Sequence, residues 1–465
     1  MKKLKISKSN ELWERAIKVI PSGTQTLSKG LKIGKSQLLY KKAKTIIPGG
    51  TMLLSKRPEM FLPDYWPSYY KKAKGITVWD LDGNKYTDMT IMGIGTNVLG
   101  YANEEVNKAV IDAVKNGSAS TLNCPEEVKL AEKLIEIHPW AEMARFARTG
   151  GESCAIAVRI GRAASGKDGV AFCGYHGWSD WYLAANLADD KNLDGQLLPG
   201  LEPKGVPRGL KGTAIPFEYN RLDQLERIIK ENDIGVIIME PVRDKEPKDD
   251  FLKKVRELST KNNIVLIFDE ITSGFRKVLG GIHLHYGVYP DIAVIGKALG
   301  NGYPIGAVIG KRSIMDAAQS TFISSTYWTE RIGPAAALAT LRIMERDNVP
   351  AKIDKMGKYI GSRWEELAKK HGLDLHVGGL PSLTHFDFDR EHLKIKTLIT
   401  QEMLKKGYLA GNSIYVSILH SKKVVDKYID DLDEVFKAIK PALDNDTLDK
   451  MLIGPACMTG FKRLN

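Results

Sequence analysis

The chain has 465 residues, 43% hydrophobic and 27% charged, enough to bury a large core and unlike a disordered or fibrous composition. Its net charge of +12 comes from scattered lysines, with short clusters such as Lys2-Lys3, Lys41-Lys42-Ala43-Lys44 and Lys71-Lys72-Ala73-Lys74; none is interleaved with aromatics in a nucleic-acid-binding pattern, so nucleic acid is not an expected partner. No apolar run approaches the roughly 20 residues of a membrane span, the N-terminus lacks an apolar signal region, and Cys124, Cys154, Cys173 and Cys457 form no C-x-x-C pair, so the expectation is a reduced, cytoplasmic protein with no metal motif and no membrane partner.

In chain order, the first feature is a duplication. Leu12–Lys29 and Leu39–Lys56 share nine of eighteen residues at an offset of 27. Each copy predicts a short amphipathic helix stopped by Pro-(Ser/Gly)-Gly-Thr, because Pro and Gly end helices. Two copies are too few for a solenoid. The second leads into the body of the protein and is expected to carry the structural role; the first is expected to cover the active-site mouth or a partner subunit.

Next, Gly75–Thr90 has two alternating segments around Asp82-Gly83, which predicts a β-hairpin. From about residue 103, helical stretches alternate with short apolar strands. These are expected at Met143–Ala147, Gly169–Cys173, Gly235–Met239, Ile264–Phe268, Ile292–Ile295 and Ile305–Ile309. Near-continuous apolar strands imply a mostly parallel sheet covered on both faces, an α/β fold. After about residue 350 the chain turns helical and lysine-rich, with one strand expected at Ser382–Phe388. The expected division is 1–38 as an extension holding the first repeat, 39–102 and 351–465 as the two parts of a small domain, and 103–350 as a large domain.

Four islands carry chemistry. Thr149-Gly150-Gly151-Glu152 follows a strand and opens a helix, so its free backbone N–H groups and positive dipole end suit a phosphate, although many strand-to-helix turns contain glycine. Gly174-Tyr175-His176-Gly177-Trp178 follows the next strand; its aromatic can lie flat on a planar cofactor or simply pack within a loop. Asp269-Glu270 ends a buried strand, where α/β sheets place ligands, and buried acids need a cation or donors beside them. A metal is open from these two residues alone, but no His/Asp cluster supplies further ligands at a usual spacing. Gly296-Lys297-Ala298 ends another apolar strand. A lysine there is either a surface group or one whose pKa falls on desolvation, making it a Schiff-base former.

Together, in this order, the four resemble the class III (fold type I) pyridoxal-phosphate (PLP) aminotransferases. The strings at Phe268–Arg276 and Gly296–Ala307 carry the resemblance, which runs from about Leu39 to the C-terminus. The chain is most similar to the glutamate-1-semialdehyde aminomutase branch, through IPGGT at Ile47–Thr51, GYANEEV at Gly100–Val106 and Glu240-Pro-Val242. The resemblance implies a large domain with a mostly parallel sheet and a smaller α+β domain built from the N- and C-terminal segments. It implies PLP bound through Lys297, with Asp269 on the pyridine nitrogen, Tyr175 on one ring face and Ile271 on the other. Gly150, Gly151 and the helix start with Glu152 would form the phosphate cup, and His176 and Glu240 would stand beside the cofactor. Thr326 would reach the phosphate of a partner subunit, which implies a homodimer with shared active sites.

The resemblance also has departures. Arg243 stands where many relatives have glutamine, and a guanidinium there can bind an anionic substrate group. Lys245 replaces the glutamate that switches an arginine between substrates. The serine that follows the N-terminal Pro-Gly-Gly in the aminomutases is missing, leaving Lys56 and Arg57 as the nearest basic residues. The expected activity is transfer of an amino group from an amino-acid donor to an anionic or sugar-linked carbonyl acceptor through a Lys297 Schiff base. An aminomutase is the alternative, then an epimerase or racemase, and stoichiometric consumption of a keto acid separates them. A silent scaffold is disfavoured by Lys297, Asp269 and Tyr175 all being present.

Overall fold

The computed structural model describes residues 31–196 and 198–459. The first repeat copy lies outside the described residues. The second forms α1 (Lys35–Ile46), which gives way to extended backbone at Ile47 just before Pro48. Following the chain, β1 (Tyr70–Lys74), β2 (Thr77–Asp80) and β3 (Lys85–Met89) precede α2 (Glu104–Lys115) and α3 (Pro125–Ile137). The central part holds β4 (Met143–Ala147), α4 (Gly150–Ser165), β5 (Gly169–Cys173), β6 (Ala214–Pro216), α5 (Leu222–Glu231), β7 (Ile234–Met239), α6 (Phe251–Lys261), β8 (Val265–Glu270), β9 (Ile292–Ile295) and β10 (Gly306–Gly310). Longer helices α7 (Ile332–Arg346) and α8 (Val349–His371) lead to β11 (Leu375–Gly378), β12 (His385–Phe388), α9 (His392–Lys405), β13 (Tyr408–Ala410) and α10 (Lys422–Asp444).

The central sheet has seven strands in the order β4-β10-β9-β8-β7-β5-β6. Only β10 runs against its neighbours; the other pairs are parallel. Alternation along β7 explains the unbroken apolar runs. Val236 and Ile238 pack with Ile156 and Ile160 of α4 on one face, while Ile237 and Met239 pack with Leu225 of α5 and Val255 of α6 on the other. A strand buried on both faces has no polar side.

Of the six strands expected in the central sheet, Met143–Ala147, Gly169–Cys173 and Ile292–Ile295 match, and the other three shift by no more than two residues at an end. The strand expected at Ser382–Phe388 is shorter. Pro381 fixes its φ near the helical value and opens a 3-10 turn over Pro381–Leu383, so only His385–Phe388 is extended. The hairpin is present as β2 and β3, its turn held by the Asp80 carboxylate, which accepts the N–H groups of Asp82 and Asn84 at 2.9 Å. β13 lies parallel to β3, so the two end segments of the chain share a four-stranded sheet with order β1-β2-β3-β13. No helix among the described residues is long and apolar enough to cross a membrane.

Candidate active site

Parallel topology brings the C-terminal ends of β4, β5, β7, β8 and β9 to one edge of the sheet, and all four sequence islands lie there. Asp269 and Glu270 end β8 but point to opposite faces, because strand side chains alternate. Glu270 turns away from the cleft, where it accepts the N–H groups of Ile282 and His283 and the His283 ring. Asp269 turns into the cleft and is buried. Its Oδ2 meets His176 Nδ1 at 2.8 Å and the Cys154 thiol at 3.2 Å, and its Oδ1 accepts the Ile271 N–H at 3.1 Å. Burial pushes its pKa up, but the donors from His176, Ile271 and Cys154 outweigh it and hold the carboxyl below the ordinary range. Cys154, His176 and Asp269 offer atoms within 4.8 Å of one another, the kind of trio that can hold a metal, but these contacts have the lengths and partners of direct hydrogen bonds.

Lys297 stands just past β9, at the start of a 3-10 turn, with φ of +40°, a conformation that L side chains rarely adopt. Its Nζ donates to Thr272 Oγ1 at 2.6 Å. Burial, aided by the Arg243 and Arg276 guanidiniums, pulls its pKa down to about 8, against the opposing pull of Glu240 and Asp269. The amine can therefore lose and regain its proton near neutral pH, which an exposed lysine cannot.

Gly150 and Gly151 form the first turn of α4. A Cβ on Gly150 would lie 3.1 Å from Ile271, and one on Gly151 would lie 3.2 Å from Trp178, so the absence of side chains lets both neighbours approach the helix start. Glu152 has a role the sequence reading did not give it. Its carboxylate accepts the N–H groups of Arg148 and Thr149 at 3.1 and 3.0 Å while Thr149 Oγ1 accepts the Glu152 N–H, a capping box. The Thr-x-x-Glu spacing signals that arrangement in the sequence.

Tyr175 is 37% exposed and presents its ring at the cleft; its N–H donates to Glu240 Oε2 at 3.1 Å. Arg243 Nη1 spans both Glu240 oxygens at 3.2 and 3.3 Å. Burial lowers the Arg243 pKa, but the Glu240 charge outweighs it and raises it overall. Thr326 begins an exposed turn over Thr326–Thr329, beside Phe322 and Tyr327, which are 86% and 73% exposed. Arg145 and Arg148 fasten the ends of that segment, donating to the carbonyls of Ile323, Trp328 and Glu330. Lys56 lines a separate cavity, and Arg57 lies against Gly49.

Three residues at the cleft escaped the sequence reading. Thr272 holds the Lys297 amine, and its only signal was its place in the Phe268–Arg276 string. Cys154 touches Asp269 across 115 residues of chain, and a lone cysteine on a helix reads as core. Arg276 is 1% exposed; its Nη2 donates to the Gly95 carbonyl, its Nε reaches the Thr272 carbonyl at 3.4 Å and its Nη1 has no hydrogen-bond partner among the described residues. Burial pulls its pKa down to about 10, with only Tyr415 opposing.

A family model described as aminotransferase class III matches residues 63–442. A 3-aminobutyryl-CoA aminotransferase of Cloacimonas acidaminovorans is 32% identical over 452 residues, covering 95% of this chain and 98% of that protein. A glutamate-1-semialdehyde 2,1-aminomutase of Methanocaldococcus jannaschii is 32% identical over 402 residues, covering 81% and 92%. Among solved structures, the internal-aldimine form of the FumI protein from a Sphingopyxis species superposes with a TM-score of 0.80 at 24% identity, over 88% of this chain and 98% of that one. A β-phenylalanine aminotransferase from Variovorax paradoxus gives 0.73 at 20% identity, over 93% and 97%. At such identities the structural likeness is one of fold, the fold type I architecture of a mostly parallel sheet with smaller sheets beside it. The family model spans most of the chain and the first relative nearly all of it, and on that ground the chain belongs to the class III aminotransferase family.

Proposed function

We propose that this chain uses PLP, anchored at Lys297, to move an amino group from an amino-acid donor to an anionic carbonyl acceptor. One observation carries the reading: a desolvated lysine with a pKa of about 8 and a buried carboxylate held ionised stand at neighbouring strand ends, beside a glycine-opened helix N-terminus. The residues fit the cofactor. Asp269 has three donors, and a carboxylate has about four lone-pair sites, so one is left for the ring nitrogen. The first-turn N–H groups at Gly150 and Gly151 have no partner within their helix, which suits the phosphate. Tyr175 and Ile271 would cover the two ring faces, with His176 and Glu240 holding Asp269 and the Tyr175 backbone in place.

When bound, PLP supplies a protonated ring that takes up the electron pair released at the carbon bearing the amine. Asp269 would hold the proton on the ring nitrogen. Lys297 Nζ would take the proton from the carbon bearing the amine and return it at its new position. Thr272 Oγ1 holds the amine between the two transfers. Arg243 is paired with Glu240, so Arg276, which has no acid partner among the described residues, is what leaves positive charge near Lys297, and that favours an acceptor with an anionic group. A relative named for an acyl-CoA amine is consistent with such an acceptor.

An aminomutase is the second reading. It is favoured by several relatives of that name, 31 to 33% identical and spanning 74 to 81% of the chain. The same reading includes a homodimer in which Thr326 completes the partner's phosphate site, supported by the exposed apolar residues around it, and a cytoplasmic location that suits the four free cysteines. The test is a visible spectrum of the protein with PLP, before and after adding glutamate. The expected result is a band that a donor abolishes, that returns with a keto acid, and that Lys297→Ala lacks. A band unmoved by any donor, with no keto acid consumed, would favour the mutase; no band at all would end the PLP reading.

A further inference from the structure

A second cavity, of about 720 Å³, lies beside the cleft. Its walls come from three places: Tyr40 and Lys56 of the second repeat copy, Trp66 and Tyr70 at the start of the small sheet, and the loop Asn301–Tyr303 that follows Lys297. One strained turn separates it from the active site. Ile91, Gly93 and Ile94 line the cavity, and Met92, Gly93, Ile94 and Gly95 have successive φ values of 39°, 65°, 62° and 76°. Ile94, a β-branched residue, rarely tolerates that region. From behind, the carbonyl of Gly95 takes the Arg276 guanidinium, Arg276 reaches the Thr272 carbonyl, and the Thr272 hydroxyl holds Lys297.

The volume falls within the range of roughly 300–1,000 Å³ that accommodates drug-sized ligands, well above what a small keto acid fills. The wall chemistry narrows the occupant. Tyr70 stands 65% exposed, and Trp66 is stacked on Phe61 at 4.4 Å, so the cavity offers rigid aromatic surface. Asp88, the single acid among the described residues of the lining, is already engaged by the Thr90 N–H, the Thr90 hydroxyl and the Tyr101 hydroxyl. Lys56 is the single base in the lining and forms no ion pair among the described residues, with the hydroxyls of Thr51 and Ser55 lining the same cavity. Aromatic faces, neutral hydroxyls and one unspent cation match a planar base, a ribose and a phosphate.

We propose that this cavity seats a nucleotide handle carried by the amino acceptor, with the base on the Tyr70 and Trp66 side and the phosphate on Lys56. What the handle delivers to Lys297 rests on the aminotransferase reading; the binding itself does not. Two carriers share this chemistry, an adenine nucleotide linked to an acyl group and a uridine nucleotide linked to a sugar. Calorimetric titration of the full-length protein loaded with PLP separates them, using ADP, UDP and inorganic pyrophosphate as probes. One nucleotide is expected to bind at one site per chain, more tightly than pyrophosphate, with affinity reduced roughly tenfold or more in Lys56→Ala and also reduced in Tyr70→Ala. Circular dichroism checks that each variant is folded. A preference for ADP assigns the acyl carrier, and one for UDP the sugar carrier. The proposal falls if neither nucleotide outbinds pyrophosphate, or if both folded variants bind like the parent. Nucleotide binding in a protein that transaminates nothing would sink the aminotransferase reading alone, while turnover of small keto acids without nucleotide binding would sink the cavity alone.

Discussion

Two buried aspartates sit at opposite ends of the same sheet. Asp291, at the start of β9, meets Arg256 Nη1 and Lys311 Nζ, both at 2.8 Å, and accepts the Leu266 N–H at 2.9 Å. Burial raises its pKa, and two cations more than reverse that. Asp269, at the end of β8, has no lysine or arginine within salt-bridge distance among the described residues; its partners are an imidazole, a thiol and one N–H. Close by, Lys297 is paired with a hydroxyl rather than an acid, and Arg276 meets no acid among the described residues. At the Asp291 end charge is matched within the chain, as stability requires. At the Asp269 end donors and charges are left over, and on the proposed function a cofactor and substrate would complete them.

Substitutions test that contrast. Lys297→Ala should cost on the order of 10⁴-fold in amino-transfer rate, with the urea unfolding midpoint little changed, since nothing else in the cleft offers a proton carrier at that position. Asp269→Asn should lower the rate by on the order of 10²-fold in single-turnover measurements, because an amide does not hold the proton on the ring nitrogen. Asp291→Ala should behave in the opposite way. Stranding Arg256 and Lys311 should cost about 3 kcal/mol of stability in urea titration, with the rate per folded molecule preserved; a rate loss comparable to that of Asp269→Asn would erase the distinction between the two ends.

Two smaller effects sharpen it. Below a pKa of about 8 the Lys297 amine is protonated and unreactive, and above it the amine is free. In the cofactor-free protein, reductive methylation followed by mass spectrometry should therefore half-label Lys297 near pH 8, where ordinary lysines need about 10.4; a midpoint at the ordinary value would refute the desolvation argument. Cys154→Ala removes one weak donor from Asp269, so the acid limb of the pH–rate profile should move up by less than about one pH unit.

The central strands were legible because each is a continuous apolar run with glycine or charge at its end, and Asp269, Lys297 and Gly150-Gly151 were legible because they stand at those ends. A strand buried on both faces permits no other pattern, and a parallel sheet has one edge where such residues gather. The strand pattern alone could not tell that Asp269 enters the cleft while Glu270 faces away, since both end the same strand; the family resemblance picks Asp269, and the packing on each face gives the physical reason. The sequence reading could not place Cys154 on Asp269 or Arg276 against Gly95, contacts that close over 115 and 181 residues of chain. Glu152 carries a capping signature at the same helix end that suits a phosphate, so the local pattern alone does not separate the two roles. Local sequence thus determined the elements, their order and the chemistry at their ends, through periodicity and turn residues. The pairing of β13 with β3, the charge left unmatched around Lys297 and the cavity beside it were decided only by tertiary structure, because each depends on segments far apart in the chain meeting at one place.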